Sequence, residues 1–486
     1  MTDTTLVISP LIFTPSFATD FDLEQKSSSW YEQVDIQQDC VMHRRLNQLT
    51  AALFLSCLFQ ASATVHYVDL NSTNAMPPYT NWITAATNIQ DAVDTANPGD
   101  IVLVTNGVYQ TGGRTLYNDP PTNRVSVTKL MILMSVNGPA VTTIQGYQMP
   151  GTTNGANAVR CVFLTNGAML AGFTLTHGAT YSYAPGGAWN YGGAVFCQTT
   201  NPATAPVSDA VVSSCVLVGN SANFSHVAYG GRLQNCVLAF NAGGASYCSL
   251  NNCTVVGNSG SIGGGVHFST AVNCIIFSNT ASTGPNSWSS TLAYCCIPDA
   301  GGTGHITNAP NFIDLIGGDF HLQSNSPCIN AGNNAYVSTS TDLEGSPRIK
   351  GGTVDIGAYE FQNPASVISY AWLQQYGLPT DGSADFIDTD HDGMNNWQEW
   401  IAGTDPTNPL SVLKMLAPSN NVSGITVKWQ SVLGINYYLR RGTNLHPHPT
   451  FASIQSNVIG QAGTTSFTDT TTSNSGPYFF RVVVQQ

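Results

Sequence analysis

A short apolar motif occurs four times in the middle of the chain at nearly constant spacing. Each copy has a cysteine, four residues that are mostly apolar, and an asparagine, and the copies occupy residues 214–220, 235–241, 252–258 and 273–279. Their cysteines are 21, 17 and 21 residues apart, and Cys295 follows after another 21. Such a period holds about three short strands and three turns, which is one coil of a parallel β-solenoid and leaves no room for helices.

Stacked coils place like residues over like at about 4.8 Å, so the cysteines and the asparagines should each form a ladder. The asparagines would satisfy backbone groups at a corner, and the cysteines would pack inside as small apolar thiols. Disulfides are the competing interpretation, but the strand spacing exceeds the roughly 3.5–4.5 Å between Cβ atoms of a relaxed bridge. Cys197, Cys248 and Cys328 lie out of phase with the repeat, and pairing among them stays open.

Paired glycines fall between the repeats and predict tight corners. Glycine adopts positive φ without steric cost, which is what a sharp turn between two short strands requires. The pairs are Gly192-Gly193, Gly230-Gly231, Gly243-Gly244 and Gly264-Gly265.

Distinct segments flank the repeats. Residues 87–96 carry apolar side chains at i, i+3, i+4 and i+7, which predicts a short amphipathic helix, and the strand-like run Ile101–Val104 follows. Such a helix would cover the open end of a solenoid. Residues 65–361 therefore resemble the right-handed parallel β-helix proteins of the pectate-lyase-like fold. The tail, residues 311–360, resembles the end segment termed choice-of-anchor Q in bacterial surface proteins.

The first 63 residues differ from the rest of the chain. Residues 42–45 (MHRR) are a basic start, residues 49–59 are largely apolar, and residues 61–63 (ASA) form a small-x-small cleavage site. This pattern predicts a secretory signal peptide over residues 42–63. Residues 1–41 carry seven acids and one lysine, the wrong charge for a leader, so we expect Met42 to be the true start and residues 1–41 a mis-assigned upstream segment. The alternative is a cytosolic amphipathic or core segment.

The most specific chemical motif in the chain follows the solenoid. It lies within residues 363–410, and we interpret that segment as a linker that contains a calcium loop. Residues 388–399 match the calcium-loop pattern D-x-D-x-D-G-x5-E at every required position. Calcium takes six to eight hard oxygen ligands, whereas the alternative, a solvated acidic turn, would leave four crowded carboxylates to repel one another. The expected ligands are Asp388, Asp390, Asp392, the Met394 carbonyl, Asn396 (by its side chain or through water) and Glu399.

This loop resembles the EF-hand-like repeats of dockerins and thrombospondin type 3 segments, which implies calcium and no reaction. Trp397, Trp400 and Ile401 should give the helix after the loop one apolar face. From residue 411 to residue 486, short alternating strands separated by turn residues predict a small β-sandwich. That module resembles a truncated fibronectin type III domain. We expect its Trp and Tyr side chains to form the core, and the alternative is that they form a sugar-binding surface.

The charge of the chain narrows the class of partner. With 15 basic and 28 acidic residues its net charge is −13, which argues against nucleic acid. No run of about 18 apolar residues predicts a membrane span.

Glycosidases need two carboxylates, and lyases of this fold need a base. Residues 120–298 contain one acid, Asp209, and the bases Arg124, Lys129, Arg160 and Arg232, with Arg160 and Arg232 expected on the solvated outer face.

One insertion resembles a binding surface. Residues 181–191 hold Tyr183, Trp189 and Tyr191 among proline and glycine, and aromatic faces stack on sugar rings. The alternative is a loop with these rings as its own small core.

We therefore expect an all-β, exported, calcium-stabilised chain: a right-handed parallel β-helix over residues 64–362, the calcium loop, and a β-sandwich. Its expected role is to bind extracellular polysaccharide or cell-surface glycan, with no catalytic residues assigned; a polysaccharide lyase or glycoside hydrolase is the alternative.

Overall fold

The chain forms two compact units, one of residues 63–382 and one from residue 383 onward that includes the strand Leu11–Phe13. The segment predicted to be a linker is thus divided between the units. The proposed leader lies outside the described residues except Ala63, as do residues 1–41 apart from that strand. The computed structural model describes residues 11–13, 63–116, 119–182, 190–198, 207–299, 301–445, 450–472 and 476–484.

The larger unit is a right-handed parallel β-helix built from three sheets, as the repeats predict. The first sheet has the strands Val65–Val68, Ile101–Val104, Ile132–Ser135, Met169–Ala171, Val211–Ser213, Arg232–Gln234, Ser249–Asn251, Thr270–Val272 and Thr291–Ala293. The second has Gly107–Tyr109, Thr142–Gln145, Thr174–Thr176, Val216–Val218, Val237–Ala239, Thr254–Val256 and Ile275–Phe277. The third has Arg114–Leu116, Asp119–Val127, Val159–Leu164, Val195–Cys197, Ser221–Tyr229, Ala242–Ser246, Val266–His267 and Ser287–Trp288.

Short elements complete this unit. Two short parallel strands, Ser259–Ile262 and Thr280–Thr283, pair at one corner. The tail adds two antiparallel pairs, Phe312–Asp314 with Asp319–Leu322 and Ile349–Lys350 with Thr353–Val354. The helical elements are the 3-10 turns Trp82–Thr84 and Asn334–Tyr336 and the helices α1 (Ile89–Thr95) and α2 (Tyr370–Gln375).

The asparagine ladder forms as predicted, at the corner between the second and third sheets. Asn220, Asn241, Asn258 and Asn279 are almost fully buried. In each step the backbone N–H and the side-chain Nδ2 of one asparagine donate to Oδ1 of the next, at 2.9–3.1 Å. Nδ2 also donates to a backbone carbonyl of the preceding coil, such as Leu217 O at 2.8 Å. Each amide therefore satisfies backbone groups in two coils.

The cysteine ladder lies inside the coils. Cys215, Cys236, Cys253, Cys274 and Cys295 are fully buried within one continuous apolar core. All ten cysteines from residue 161 to residue 328 are buried and free in the structure, including the three that lie out of phase. Burial raises the pKa values of Cys161, Cys215 and Cys248 to about 12. The thiols therefore pack as apolar groups.

The glycine pairs have a second role beside turning. Gly192 and Gly230 have positive φ, as expected, at 71° and 85°. Gly193 has no such constraint, but a Cβ there would collide with the carbonyl of Ser221 in the next coil. Close backbone approach, rather than φ, demands glycine at this corner.

The first residue of the second, third and fourth repeats, an asparagine in each, holds the tail. Asn235, Asn252 and Asn273 adopt positive φ of 48–54° between the first and second sheets. Their Nδ2 groups donate to the carbonyls of Thr341, Asp355 and Asn333. The tail therefore lies across three consecutive coils.

A buried contact between Arg348 and Glu360 fixes the tail's own turns. Arg348 Nη2 lies 3.2 Å from Glu360 Oε2, and both side chains are almost fully buried. Arg348 also donates to several carbonyls, including Ala358 O at 2.9 Å. Asp355 accepts the N–H groups of Asn330 and Phe361. Most of the polar groups named here bond to one another or to backbone, which ties the turns of this end segment together.

Helix α1 covers the first coil as predicted. Asn88 caps it by accepting the N–H of Asp91, and Ile89, Ala92 and Val93 are buried. The buried Gln90 side chain accepts the N–H of Ser126 at 2.7 Å and donates to its carbonyl at 3.3 Å. Gln90 thereby takes the place of a missing neighbouring strand at the open end.

The second unit contains an antiparallel sandwich, in agreement with the alternating pattern. One sheet has Met415–Asn421, Gly424–Ser431 and Gly463–Asp469, and the other has Leu11–Phe13, Tyr478–Val484, Asn436–Gly442 and Ala452–Ile459. Trp429 and Tyr437 are fully buried in the core between them. Helix α3 (Asn396–Ala402) packs Ile401 and Ala402 into the same core, with Trp397 and Trp400 partly buried against it.

Candidate functional site

A column of aromatic side chains runs along the outside of the third sheet. Inward-facing residues of its strands, such as Val195 and Val266, belong to the core. The next residue in each strand points outward, and the register stacks Phe163, Phe196, Tyr229, Ser246, His267 and Trp288 in that order. Because this order follows the stacked coils, the column lies parallel to the solenoid axis.

Neighbouring rings widen the column into a face, called here the aromatic face: Tyr191, Phe196, Phe224, Tyr229, Tyr247, His267, Phe268 and Trp288. Phe196 stacks on Tyr229 with ring centroids 5.3 Å apart, and Tyr191 stacks on Tyr229 at 4.8 Å. Tyr247 stacks on Phe268 at 5.3 Å. The members differ in exposure, since Phe196 is buried whereas Phe268 and Trp288 are 47% and 43% exposed. The face therefore combines exposed rings, such as Phe268 and Trp288, with buried rings, such as Phe196.

Tyrosine hydroxyls on this face remain donors. Burial, and then the neighbouring Tyr247 and Tyr191, raise the pKa of Tyr229 to about 12. Burial also raises the pKa of Tyr191. Neutral hydroxyls can both donate and accept, as sugar hydroxyls do.

Arg160 anchors the segment that carries Tyr191. The sequence places this arginine on the solvated outer face, which is wrong: it is 2% exposed. Its guanidinium donates to the carbonyls of Gly192 and Tyr191, both at 2.8 Å, and to Asn123 Oδ1 at 2.7 Å. It also lies 5.1 Å from the centre of the Phe196 ring. Burial lowers its pKa to about 9, so it stays charged at neutral pH. All three nitrogens donate, two of them to the segment that carries Tyr191, which leaves none to act as a base.

The other charged coil residues are also engaged. Arg232 is exposed, as predicted, and pairs with Asp209 at 2.6 Å. Lys129 donates to carbonyls at the end of α1, including Ala96 O at 2.6 Å. Arg124 Nε donates to Gln145 O at 2.8 Å. The described part of the aromatic face thus carries no carboxylate and no unpaired cation.

The candidates of the predicted binding insertion are only partly described. Tyr183 and Trp189 lie outside the described residues. Tyr191 is half-buried and belongs to the aromatic face.

The rest of this face escaped the sequence analysis. The His267 ring of this face stacks on the His226 ring with centroids 4.8 Å apart, and no sequence motif singles out either histidine. Counting two residues beyond the glycine pairs Gly243-Gly244 and Gly264-Gly265 leads to Ser246 and His267, but the same offset misses Phe196 and Tyr229.

The acidic loop of the second unit gathers three of its predicted ligands. Oxygen atoms of Asp388, Asp390 and Asp392 lie within 4.8 Å of one another. Asp388 Oδ2 accepts the N–H of Gly393, which has a φ of 99° and makes the sharp turn. Asp392 Oδ1 accepts the N–H of Met394 at 2.8 Å. These bonds arrange the loop so that several carboxylate oxygens converge.

Glu399 is the fourth carboxylate of the predicted loop. Its side chain is fully buried, and Oε2 has no hydrogen-bond partner, as is also true of Oδ2 in Asp390 and Asp392. Burial, and then Asp390 and Asp392, raise the pKa of Glu399 to about 8. Unpaired buried carboxylate oxygens fit calcium, which neutralises such a group by coordination.

The other two predicted ligands have structural contacts. The Asn396 side chain accepts the Thr389 hydroxyl at 2.9 Å and donates to Ala384 O at 2.8 Å. Met394 is buried, and its sulfur accepts the N–H of Leu413 at 3.3 Å. Asn396 thus serves the packing of the loop with its side chain.

No protein-family model matches the chain, and no curated protein matches it. Among solved structures, it is similar to pectate lyase Pel9A at 12% identity, with a TM-score of 0.35 over 63% of this chain and 98% of that one. It is also similar to a rhamnogalacturonan lyase at 10% identity, with a TM-score of 0.30 over 49% of this chain and 64% of that one. Values this low carry no argument about function. Within the described residues, no helix is long and apolar enough to cross a membrane.

Proposed function

We propose that this chain is an exported binding protein whose aromatic face holds an extracellular or cell-surface polysaccharide. The observation that carries the proposal is the outward column of Phe196, Tyr229, Ser246, His267 and Trp288. Where the column has a serine, the Tyr247 ring lies 5.6 Å from the Tyr229 ring and 6.4 Å from the His267 ring. Sugar rings present flat C–H faces that pack on aromatic rings, and their hydroxyls bond to neutral hydroxyl groups. A column along the solenoid axis suits an extended chain better than a single sugar.

The charges of the site favour a neutral polysaccharide. A polymer of uronic acids would need cations to pair with its carboxylates. Arg160 is buried beneath the face, and Arg232 is paired with Asp209. Because both arginines are bonded, neither is free to act as the base that a lyase needs. A single aspartate on these coils cannot supply the carboxylate pair of a glycosidase.

Calcium in the acidic loop is the second part of the proposal. Asp388, Asp390, Asp392 and Glu399 would supply carboxylate oxygens and Met394 its carbonyl. Affinities of roughly 10⁻⁴–10⁻³ M are typical of extracellular modules, so the ion would be structural. Bound there, it would fix the loop against helix α3.

The test is affinity electrophoresis of residues 64–486 through gels containing one polysaccharide each, neutral (xylan, mannan, β-glucan) or acidic (pectate, alginate). We expect retardation on a neutral polymer, abolished by Trp288→Ala. Trp82→Ala is the matched control, because Trp82 is also 43% exposed and lies outside the aromatic face. Retardation only on pectate or alginate, or equal loss in both variants, would refute the proposal. Release of unsaturated uronates or reducing ends would support an enzyme instead.

A further inference from the structure

Asp100 occupies an unusual position at the start of the β-helix. Its carboxylate is almost fully buried and accepts hydrogen bonds from three directions. The Asn97 N–H donates to Oδ2 at 2.7 Å, and His66 Nε2 lies 3.0 Å from the same oxygen. The third donor is the backbone N–H of Thr64, 2.9 Å from Oδ1.

Thr64 is the residue that follows the predicted cleavage site. The small-x-small motif ends at Ala63, so leader removal would hydrolyse the Ala63–Thr64 bond. One water is consumed, Ala63 leaves with the new carboxylate, and Thr64 keeps its nitrogen as an α-ammonium group. Thr64 is exposed, which gives a peptidase access to this bond. Its carbonyl accepts the N–H of Ile101 at 3.0 Å, which holds the residue in the first coil.

We propose that Asp100 is the receptor for the amino terminus of the mature protein, and that cleavage after Ala63 creates an ion pair between the Thr64 α-ammonium group and the Asp100 carboxylate. Before cleavage the same nitrogen donates as a neutral amide. Afterwards it carries a full charge at the same place, and charge-assisted hydrogen bonds are about twice as strong as neutral ones. Processing thereby strengthens the edge of the first coil, where the strand Val65–Val68 begins.

The other charged groups around this carboxylate leave room for the amino terminus. The His66 ring occupies Oδ2, and its Nδ1 is 2.7 Å from Pro78 O. The nearby Lys129 is bound to the carbonyls of Val93, Asp94 and Ala96. Burial opposes ionisation of Asp100, but bonds from Asn97, His66 and Thr64 outweigh it and hold its pKa below the usual range. Oδ1 therefore presents an ionised oxygen to Thr64.

The test compares two forms of the full mature chain, one starting at Thr64 and one starting at Ala63. The extra residue moves the ammonium group about 3.8 Å away and leaves Thr64 with a neutral amide, without any substitution. The readout is the rate of α-amine acylation near pH 7.5, followed by mass spectrometry of the terminal peptide. An ion pair raises the pKa of the amine, and each unit lowers the reactive fraction about tenfold.

We expect the Thr64 form to react about tenfold more slowly, and Asp100→Asn to restore the faster rate in this form alone. The Thr64 form should also melt at a higher temperature than the Ala63 form. Equal acylation rates in the two native forms would overturn the proposal. So would amino-terminal sequencing of exported protein that gives a first residue other than Thr64.

Discussion

Asn241 donates its side-chain Nδ2 to Oδ1 of Asn258 at 2.9 Å, and both residues are almost fully buried. A parallel β-helix has corners where backbone groups leave one sheet before they enter the next, and buried polar groups must find partners there. This contact shows how the chain solves the problem: one amide per coil bonds the coil before it and the coil after it.

Replacing Asn241 by leucine should therefore destabilise the β-helix. The apolar side chain leaves the N–H and Nδ2 of Asn220 and the Leu217 carbonyl without their present partner. Each unsatisfied buried group costs about 1–3 kcal/mol, so the free energy of unfolding should fall by at least about 2 kcal/mol in urea titrations. Asn137→Leu is the control, because the exposed Asn137 amide bonds only to the exposed Asn106. Equal losses in both variants would contradict the role of the ladder.

Arg160→Lys should destabilise the β-helix more than Arg232→Lys. Lysine keeps the charge at position 160 but cannot reach the Gly192 and Tyr191 carbonyls and Asn123 together. Each hydrogen bond from a charged group is worth roughly 1.5–3 kcal/mol. Arg232 forms an exposed pair, worth about 0–1 kcal/mol. Thermal unfolding measured by circular dichroism compares them, and a smaller shift for Arg160→Lys would show that the loop does not depend on it.

The tail should make the β-helix less stable as pH rises. Burial is the main cause that raises the pKa values of Asp355 to about 7 and Glu360 to about 9, against ordinary values near 4. The folded state therefore binds more protons than the unfolded state between about pH 4 and 9. The stability from these groups is full below the ordinary pKa and is lost as pH rises through the raised values. Melting temperatures at pH 5, 7 and 9 should decline, and Glu360→Gln should flatten the decline. A slope unchanged by Glu360→Gln would contradict this assignment.

Calcium should raise the melting temperature of the second unit. At about 10 mM calcium, a site with a Kd of roughly 10⁻⁴–10⁻³ M gains about 1.4–2.7 kcal/mol from binding. Glu399→Gln should remove the shift, because the buried group then lacks the charge and one ligand oxygen. Asp405→Asn is the control, since the Asp405 carboxylate accepts from Thr407 instead. A calcium shift that persists in Glu399→Gln would exclude this loop as the site.

The cysteines should remain free thiols in the purified protein. Ten cysteines follow residue 63, all buried, so a thiol reagent should label few in the native state and ten in denaturant. The reason is steric protection together with raised thiol pKa values. Fewer than about four free thiols in denaturant would show that disulfides form instead.

Much of the fold could be predicted from local pattern, because a solenoid repeats its contacts at a fixed sequence spacing. The Asn220 and Cys215 columns were readable for that reason, whereas helix α1 and the strand Ile101–Val104 were readable from the apolar pattern within each segment. The burial of Arg160 was not, because a lone arginine in a coil has no periodic partner, and its acceptors are carbonyls 31 and 32 residues away. The aromatic face was missed since its members come from coils of unequal length.

The way the tail attaches has a mechanical consequence for the end of the solenoid. Asn235, Asn252 and Asn273 belong to successive coils, and each bonds the tail at a different point. A force that pulls the tail along the solenoid axis acts on all three hydrogen bonds at once, in shear. Without these bonds to the tail, the coils would unfold one after another. The last coils should therefore resist unwinding as a single block.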